Sequence, residues 1–288
     1  MDTGLKDKVV LITGINNPLG IGAATARAFA VQGAAVFGTY LRLPGRPTSA
    51  STPGEEFYRA QSAKSADEVV AAIRADGGRI AAWEADLADP AVVPQLFDRA
   101  ERELGPVDVL VNNAARCDPD TFVPETQLGP DARAVDAFPM STITADAHDR
   151  HFAVNSRAVA LMMAEYARRH VARGARWGRI INVSTDGASG FTSEVSYGAS
   201  KHAMESYSRA AAGELGKYGI TVNVVSLGAV QTGWIPPELE RREASRIPLG
   251  RIGRPDDVAD VILFFASEQA RWVTGQLLYV GGGHTMPL

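Results

Sequence analysis

Two hydrophobic patterns alternate along the chain. Short, nearly unbroken apolar runs recur at residues 8–13, 34–40, 79–84, 107–111, 179–183, 221–225 and 277–280. Runs of this length without polar alternation are expected of strands buried on both faces of a parallel sheet. Between them lie helical stretches: one opening at Gly20 with the small residues Gly-Ile-Gly-Ala-Ala-Thr-Ala, then 68–75, 92–103, 147–173, 197–217 and 256–267. Strands alternating with helices of this length predict an α/β fold, a doubly wound parallel sheet with helices on both faces and right-handed crossovers. No second-domain boundary interrupts the pattern, so residues 1–288 are expected to form a single domain.

Two segments break the rhythm. Residues 43–64 are rich in Pro, Gly, Ser and Thr, and residues 116–144 carry Pro119, Pro124, Pro130 and Pro139 among scattered acids. Both read as surface insertions. They follow the second and fourth strands, at the carboxyl edge where open α/β sheets bind ligands, and are therefore placed to cover a cofactor or substrate.

Composition narrows the function classes. Of 288 residues, 45% are apolar and 22% charged, which suits one large globular domain. Lys plus Arg is 29 against 33 for Asp plus Glu, a net charge of −4 with no basic cluster, so nucleic acid is not an expected partner. The longest apolar runs fall far short of the roughly 20 residues that cross a bilayer. The N-terminus MDTGLKDKVVLITG lacks a targeting pattern, and cytoplasmic residence without membrane association is expected. Cys117 is the only cysteine, which excludes an internal disulfide and a Cys-rich zinc site. It has no evident neighbouring base and reads as a loop residue. His148, His151, His170, His202 and His284 lack metal-ligand spacing, Asp118, Asp120 and Glu125 read as solvated, and no metal is expected.

Thr13-Gly14-Ile15-Asn16-Asn17-Pro18-Leu19-Gly20-Ile21-Gly22 joins the first strand to the first helix. Glycines permit a tight turn there, and backbone N–H groups at the helix start can face a pyrophosphate. Asn112-Asn113-Ala114-Ala115 follows the fourth strand, Asn155 closes His151-Phe-Ala-Val-Asn155, and Tyr197-Gly-Ala-Ser-Lys201 lies on a later helix. With these motifs in this order the sequence resembles the short-chain dehydrogenase/reductase family. The resemblance spans residues 8–283 and takes in Asp86-Leu87, Asn223-Val-Val-Ser-Leu-Gly228 through Val230 and Thr232, Arg254-Pro-Asp-Asp-Val-Ala259 and Thr274-Gly275-Gln276. It implies a Rossmann-like fold and a nicotinamide-dependent oxidoreductase. Four features depart from the family pattern: five residues between Gly14 and Gly20 instead of three, Ala115 in place of glycine, Leu227 in place of proline, and Gly281 in place of a frequent aspartate.

Residues four apart on a helix lie about 40° apart around its axis, so Tyr197 and Lys201 share a face. A lysine ammonium roughly 4 Å from the phenol, at an effective dielectric near 20, favours phenolate by about 4 kcal/mol before desolvation. Roughly three pKa units of lowering from a free value of about 10 are expected on that ground. The resemblance implies that Tyr197 gives a proton to the carbonyl oxygen as hydride arrives, that Lys201 holds the nicotinamide ribose, and that Asn155 holds a proton-relay water. It also requires a hydroxyl after the fifth strand. Ser184 satisfies the thirteen-residue spacing to Tyr197 and is preferred for it, whereas aligning the strand gives Thr185.

Cofactor choice depends on the end of the second strand, where an acid would bind a ribose 2′-hydroxyl and repel a 2′-phosphate. Tyr40 stands at that position with Arg42 two residues on, so NADP(H) is the preferred cofactor, with NAD(H) possible. The resemblance places Asp86 and Leu87 at the adenine, Asn113, Ala114 and Ala115 on the ribose side, and Gly14, Asn16, Asn17, Leu19, Gly20, Ile21, Gly22, Gly228, Val230 and Thr232 around the rest of the dinucleotide. Phe191, Trp234 and Ile235 suggest an apolar wall for a small carbonyl or alcohol substrate. The expected activity is reduction of a ketone to a secondary alcohol, as in the 3-oxoacyl-thioester reductase branch. A dehydrogenase of a sugar, steroid or other secondary alcohol and a silent dinucleotide-binding sensor or scaffold are the alternatives. A homotetramer or homodimer built on the helices around Asn155 and Lys201 is implied.

Overall fold

The computed structural model describes residues 2–43, 50–134 and 138–286; residues 44–49 of the first insertion and 135–137 of the second lie outside the described residues, as do the chain ends. The elements run β1 (Val9–Thr13), α1 (Ile21–Val31), β2 (Ala35–Tyr40), α2 (Glu55–Ser62), α3 (Asp67–Ala75), β3 (Arg79–Glu84), α4 (Val92–Leu104), β4 (Val109–Asn112), β5 (Asp120–Thr121), β6 (Ser141–Thr142) and α5 (Ala145–Phe152). A π-helical turn (Ala153–Ala158) leads into α6 (Val159–Ala172), β7 (Gly178–Thr185), α7 (Val195–Leu215), β8 (Ile220–Leu227), α8 (Pro237–Ala244), α9 (Pro255–Ala266) and β9 (Leu277–Val280). Seven strands form one sheet in the order β3-β2-β1-β4-β7-β8-β9, every pairing parallel. This is the expected doubly wound, Rossmann-like sheet.

The unbroken apolar runs arise because alternate side chains of each strand enter two different cores. From β1, Val10 and Ile12 pack with Ala23, Ala26 and Phe29 of α1 and Val258, Ile262 and Phe265 of α9. Val9 and Leu11 face the other way, onto Leu96, Phe97 and Ala100 of α4 and Met162, Met163 and Tyr166 of α6. Strand order reverses between β1 and β4, and the carboxyl ends of these two strands flank the crevice where such sheets bind ligands.

The structure departs from the sequence pattern in several places. The stretch expected as one helix over residues 147–173 is α5 and α6 joined by the π turn that holds Asn155. A π turn widens the helix by one residue, too small a change for a 3.6-residue periodicity to register. β7 and β8 each extend to the carboxyl edge, so Ser184 and Thr185 are strand residues. The first insertion contains α2, and the second contains the two-residue ladder β5–β6. α8 covers a small third core of Ile235, Leu239, Ile247 and Ile252, against which Trp234 packs. Ile235 is fully buried within this cap, a correction to its reading as a substrate wall, while Trp234 is half-buried against it. No helix among the described residues is long and apolar enough to cross a membrane.

Candidate active site

The glycine turn lies tightly against the end of β4. Gly14 has a φ of 78°. A Cβ on Gly22 would fall 2.1 Å from the Gly14 carbonyl oxygen. Asn113 Nδ2 donates to the carbonyls of Thr13 (2.8 Å) and Gly14 (3.1 Å), while Thr13 Oγ1 accepts from the N–H groups of Asn113 and Ala114, both at 2.9 Å. The two additional residues of the turn are used to tether it. Asn16 Nδ2 donates to the carbonyls of Ser62 (3.1 Å) and Lys64 (2.9 Å), and Asn17 Nδ2 to that of Thr232 at 3.0 Å. Leu19 stays exposed, Gly20 caps α1, and Ile21 opens it. The first amides of α1 have no acceptor within the helix, so a helix N-terminus stands beside a turn that only glycine permits. This cradle fits the pyrophosphate of a dinucleotide.

The remaining cofactor candidates are distributed along the same edge. Tyr40 is half-buried at the end of β2, Arg42 pairs with Glu84, and Asp86 Oδ1 accepts from Ala88 N at 2.8 Å within its own turn. The Leu87 side chain is packed in the α4–α6 core, so only its main chain faces the edge of the cleft next to Asp86. Ala114 is half-buried and Ala115 exposed. Gly228 lies against the Gly281 backbone, and Val230 is buried in the α1–α9 core.

α7 presents a polar stripe to the molecule's interior, which fixes the chemistry-bearing residues. Ser196, Ser200, Lys201, Glu205 and Ser208 are all buried on it. Asn155 is fully buried; its Nδ2 donates to Ser200 Oγ (2.9 Å) and the Arg116 carbonyl (2.8 Å), and its Oδ1 accepts from Arg116 N at 2.8 Å. Lys201 Nζ donates to the Val183 carbonyl at 2.7 Å and lies 5.8 Å from the centre of the Tyr197 ring. Burial lowers the Lys201 ammonium to about 8.

Tyr197 differs from expectation. Burial pushes its phenol well above the ordinary value, and Cys117, Glu194, Tyr58 and Asp186 push the same way. Lys201 directs its ammonium to a carbonyl, and the surrounding groups that act on the phenol are acidic. The anticipated lowering toward phenolate is therefore absent from this structure.

Two adjacent hydroxyls at the end of β7 have different surroundings. Ser184 is buried and its Oγ donates to Glu205 Oε1 at 2.6 Å, which commits its proton to α7. Thr185 Oγ1 accepts from Gly187 N at 3.3 Å in the loop leading to Tyr197, which leaves its own proton free to be directed elsewhere. Of the two, Thr185 is the hydroxyl whose proton is not already committed to a partner within the protein.

Several residues were missed or misread in the sequence. Asp120 is buried rather than solvated, and its Oδ1 accepts from Ser196 N at 2.9 Å, so it caps the start of α7 from a distant loop. Cys117 Sγ donates to buried Glu194 Oε2 at 3.3 Å, placing a base beside a thiol that seemed isolated in the sequence. His151 is fully buried, with Nε2 accepting from Asp118 N at 3.0 Å. From the insertions, Tyr58 of α2 contacts Phe138 edge to face with ring centres 6.3 Å apart, and Arg133 pairs with Glu55 at 3.2 Å. Gly54 N donates to the Gly233 carbonyl at 2.9 Å, so the first insertion also touches the segment after β8. Phe191 lies against Tyr197, ring centres 6.1 Å apart. Only Phe191 of this group carried a sequence signal.

The chain is similar to known oxidoreductases along most of its length. The family model described as enoyl-(acyl carrier protein) reductase matches residues 50–285. The cis-4-hydroxycyclohexanecarboxylate dehydrogenase of Sinomonas cyclohexanicum is 33% identical over 290 residues, covering 99% of each chain. A versicolorin reductase of Emericella nidulans is 32% identical, covering 97% of this chain and 96% of that one. Among solved structures, a short-chain dehydrogenase/reductase from Serratia marcescens superposes with a TM-score of 0.75 at 29% identity, covering 97% of this chain and 98% of that one.

Proposed function

The chain belongs to the short-chain dehydrogenase/reductase family, oxidoreductases that act on carbonyl and alcohol groups with a nicotinamide dinucleotide, and from that membership we propose that it reduces a ketone to a secondary alcohol with NADPH. The observation that carries this reading is the Tyr197 phenol, which burial and acidic neighbours hold in its protonated form, with the Lys201 ammonium 5.8 Å from its ring centre. A group in that state donates a proton and is a poor acceptor. The bound dinucleotide supplies hydride to the carbonyl carbon. Tyr197 delivers its proton to the carbonyl oxygen, and Lys201, charged below about 8, is the nearby cation that stabilises the phenolate left behind. Thr185 donates a hydrogen bond to the same oxygen, because the Ser184 proton is held by Glu205. Asn155 is a positioning residue that ties Ser200, next to Lys201, to the chain leaving β4.

Arg42 is the group available to a 2′-phosphate, which supports NADPH over NADH. Tyr58 and Phe138 from the two insertions, with Phe191, border the substrate side. The name of one relative, the cis-4-hydroxycyclohexanecarboxylate dehydrogenase, points to an alcohol or ketone on a cyclohexane ring, and the oxidising direction it suggests is the reverse of the same step, favoured at higher pH. Leu161 of α6 and Tyr207 of α7 are exposed, 37% and 48%, and supply apolar surface for a homodimer or homotetramer built on these helices; light scattering at working concentration tests the assembly. Consumption of NADPH across a panel of cyclic ketones and 3-oxoacyl thioesters, with Tyr197→Phe as control, tests the activity. Turnover that the substitution abolishes supports the reading, and cofactor binding with no turnover in either direction contradicts it.

A further inference from the structure

The acid that discriminates cofactors is absent from the end of β2, yet a carboxylate reaches that place from the neighbouring strand. Tyr40, the last residue of β2, is in register with Glu84, the last residue of β3. The Glu84 carboxylate grips Arg42 with a complete fork: Arg42 Nε to Oε1 at 3.0 Å and to Oε2 at 2.9 Å, and Nη2 to Oε2 at 2.8 Å. The Arg42 main-chain N–H adds a bond to Oε1 at 3.2 Å. A guanidinium presents one planar fork, and a 2′-phosphate would need the same one.

We infer that Glu84 sets cofactor choice, by competing with the 2′-phosphate of NADPH for the guanidinium of Arg42. This rests on the dinucleotide reading of the cleft. With NADPH, Arg42 turns from Glu84 to the phosphate. With NADH, Arg42 stays on Glu84, and the carboxylate is free to accept the ribose 2′-hydroxyl with its remaining lone pairs. Both partners face solvent, with side-chain exposures of 58% for Arg42 and 30% for Glu84, so exchanging one partner for the other is a small step. The enzyme consequently accepts both dinucleotides, and its preference for NADPH is muted by Glu84.

Equilibrium binding of NADPH and NADH to the full chain, by calorimetry or by quenching of tryptophan fluorescence, tests this without relying on turnover. Glu84→Gln keeps the side-chain shape and removes the charge. The NADPH-to-NADH affinity ratio is expected to rise roughly five-fold in Glu84→Gln, the scale of one exposed ion pair, and to fall in Arg42→Ala. Because Glu84 acts through Arg42, adding Glu84→Gln to Arg42→Ala should change the ratio less than about two-fold. An unchanged ratio in Glu84→Gln overturns the inference. An equal rise in both backgrounds also overturns it, since the carboxylate would then repel the phosphate directly. If the unsubstituted chain binds neither dinucleotide, the reading of the cleft fails and this inference with it; if it binds both and Arg42→Ala leaves NADPH affinity unchanged, only the inference fails.

Discussion

At the α7 end of the cleft Lys201, Asn155 and Ser184 are buried and each is held by a fixed partner, whereas at the β2–β3 end Arg42 and Glu84 pair in solvent. Lys201 on the Val183 carbonyl, Asn155 between Arg116 and Ser200, and Ser184 on Glu205 are arrangements that cannot relax without leaving a buried polar group unpaired. The low-dielectric surroundings also shift the groups that titrate: the Tyr197 phenol goes up and the Lys201 ammonium goes down. The exposed pair undergoes neither constraint. Chemistry therefore resides where replacement is costly, and cofactor discrimination where it is cheap.

That contrast is tested most severely at Lys201. Lys201→Met should lower ketone reduction on the order of 10³-fold, the scale of a positioned acid–base group, with NADPH affinity measured alongside to separate binding from the proton step. Loss of less than ten-fold would remove Lys201 from the chemistry. The paired hydroxyls give the next largest effect. Thr185→Val is expected to reduce turnover about 10²-fold, as for loss of one donor to a developing oxyanion, while Ser184→Ala should leave it within a few-fold. The opposite order would return the role to Ser184.

Much of this was legible in the sequence, and the illegible part has a physical reason. The sheet was readable because its inner strands β1, β2, β4, β7 and β8 bury both faces and so appear as nearly unbroken apolar runs, and Tyr197 with Lys201 was readable because a helix fixes what four residues of spacing means. The state of the phenol was not. Tyr58, Cys117, Asp186 and Glu194 reach it from separate segments, and no local spacing records that convergence. Asp120 was misread for the same reason: a single acid in a Pro-rich loop gives no sign that it caps a helix beginning at Val195. Ser184 and Thr185 could be counted but not oriented, since orientation depends on where β7 ends.

The pH dependence has a defined sign. Lys201 carries its charge below about 8, so kcat/KM for ketone reduction should be level at lower pH and fall about ten-fold per unit above it as the ammonium is lost. A rise through that range would place the required species on the deprotonated side. Asp120→Ala has a smaller, structural effect. It removes an acceptor from the first turn of α7 and should cost about 1 kcal/mol, seen as a drop of roughly 2–4 °C in Tm, whereas Asp120→Asn should preserve most of the stability.

The central claim is that Tyr197 gives the proton while the cleft holds the dinucleotide independently of it. The direct measurement is single-turnover oxidation of bound NADPH by a ketone substrate, compared between the unsubstituted chain and Tyr197→Phe, with NADPH affinity determined for both. The account predicts unchanged affinity and hydride transfer slowed by at least about 10²-fold in Tyr197→Phe. Hydride transfer at the same rate in both proteins would contradict it.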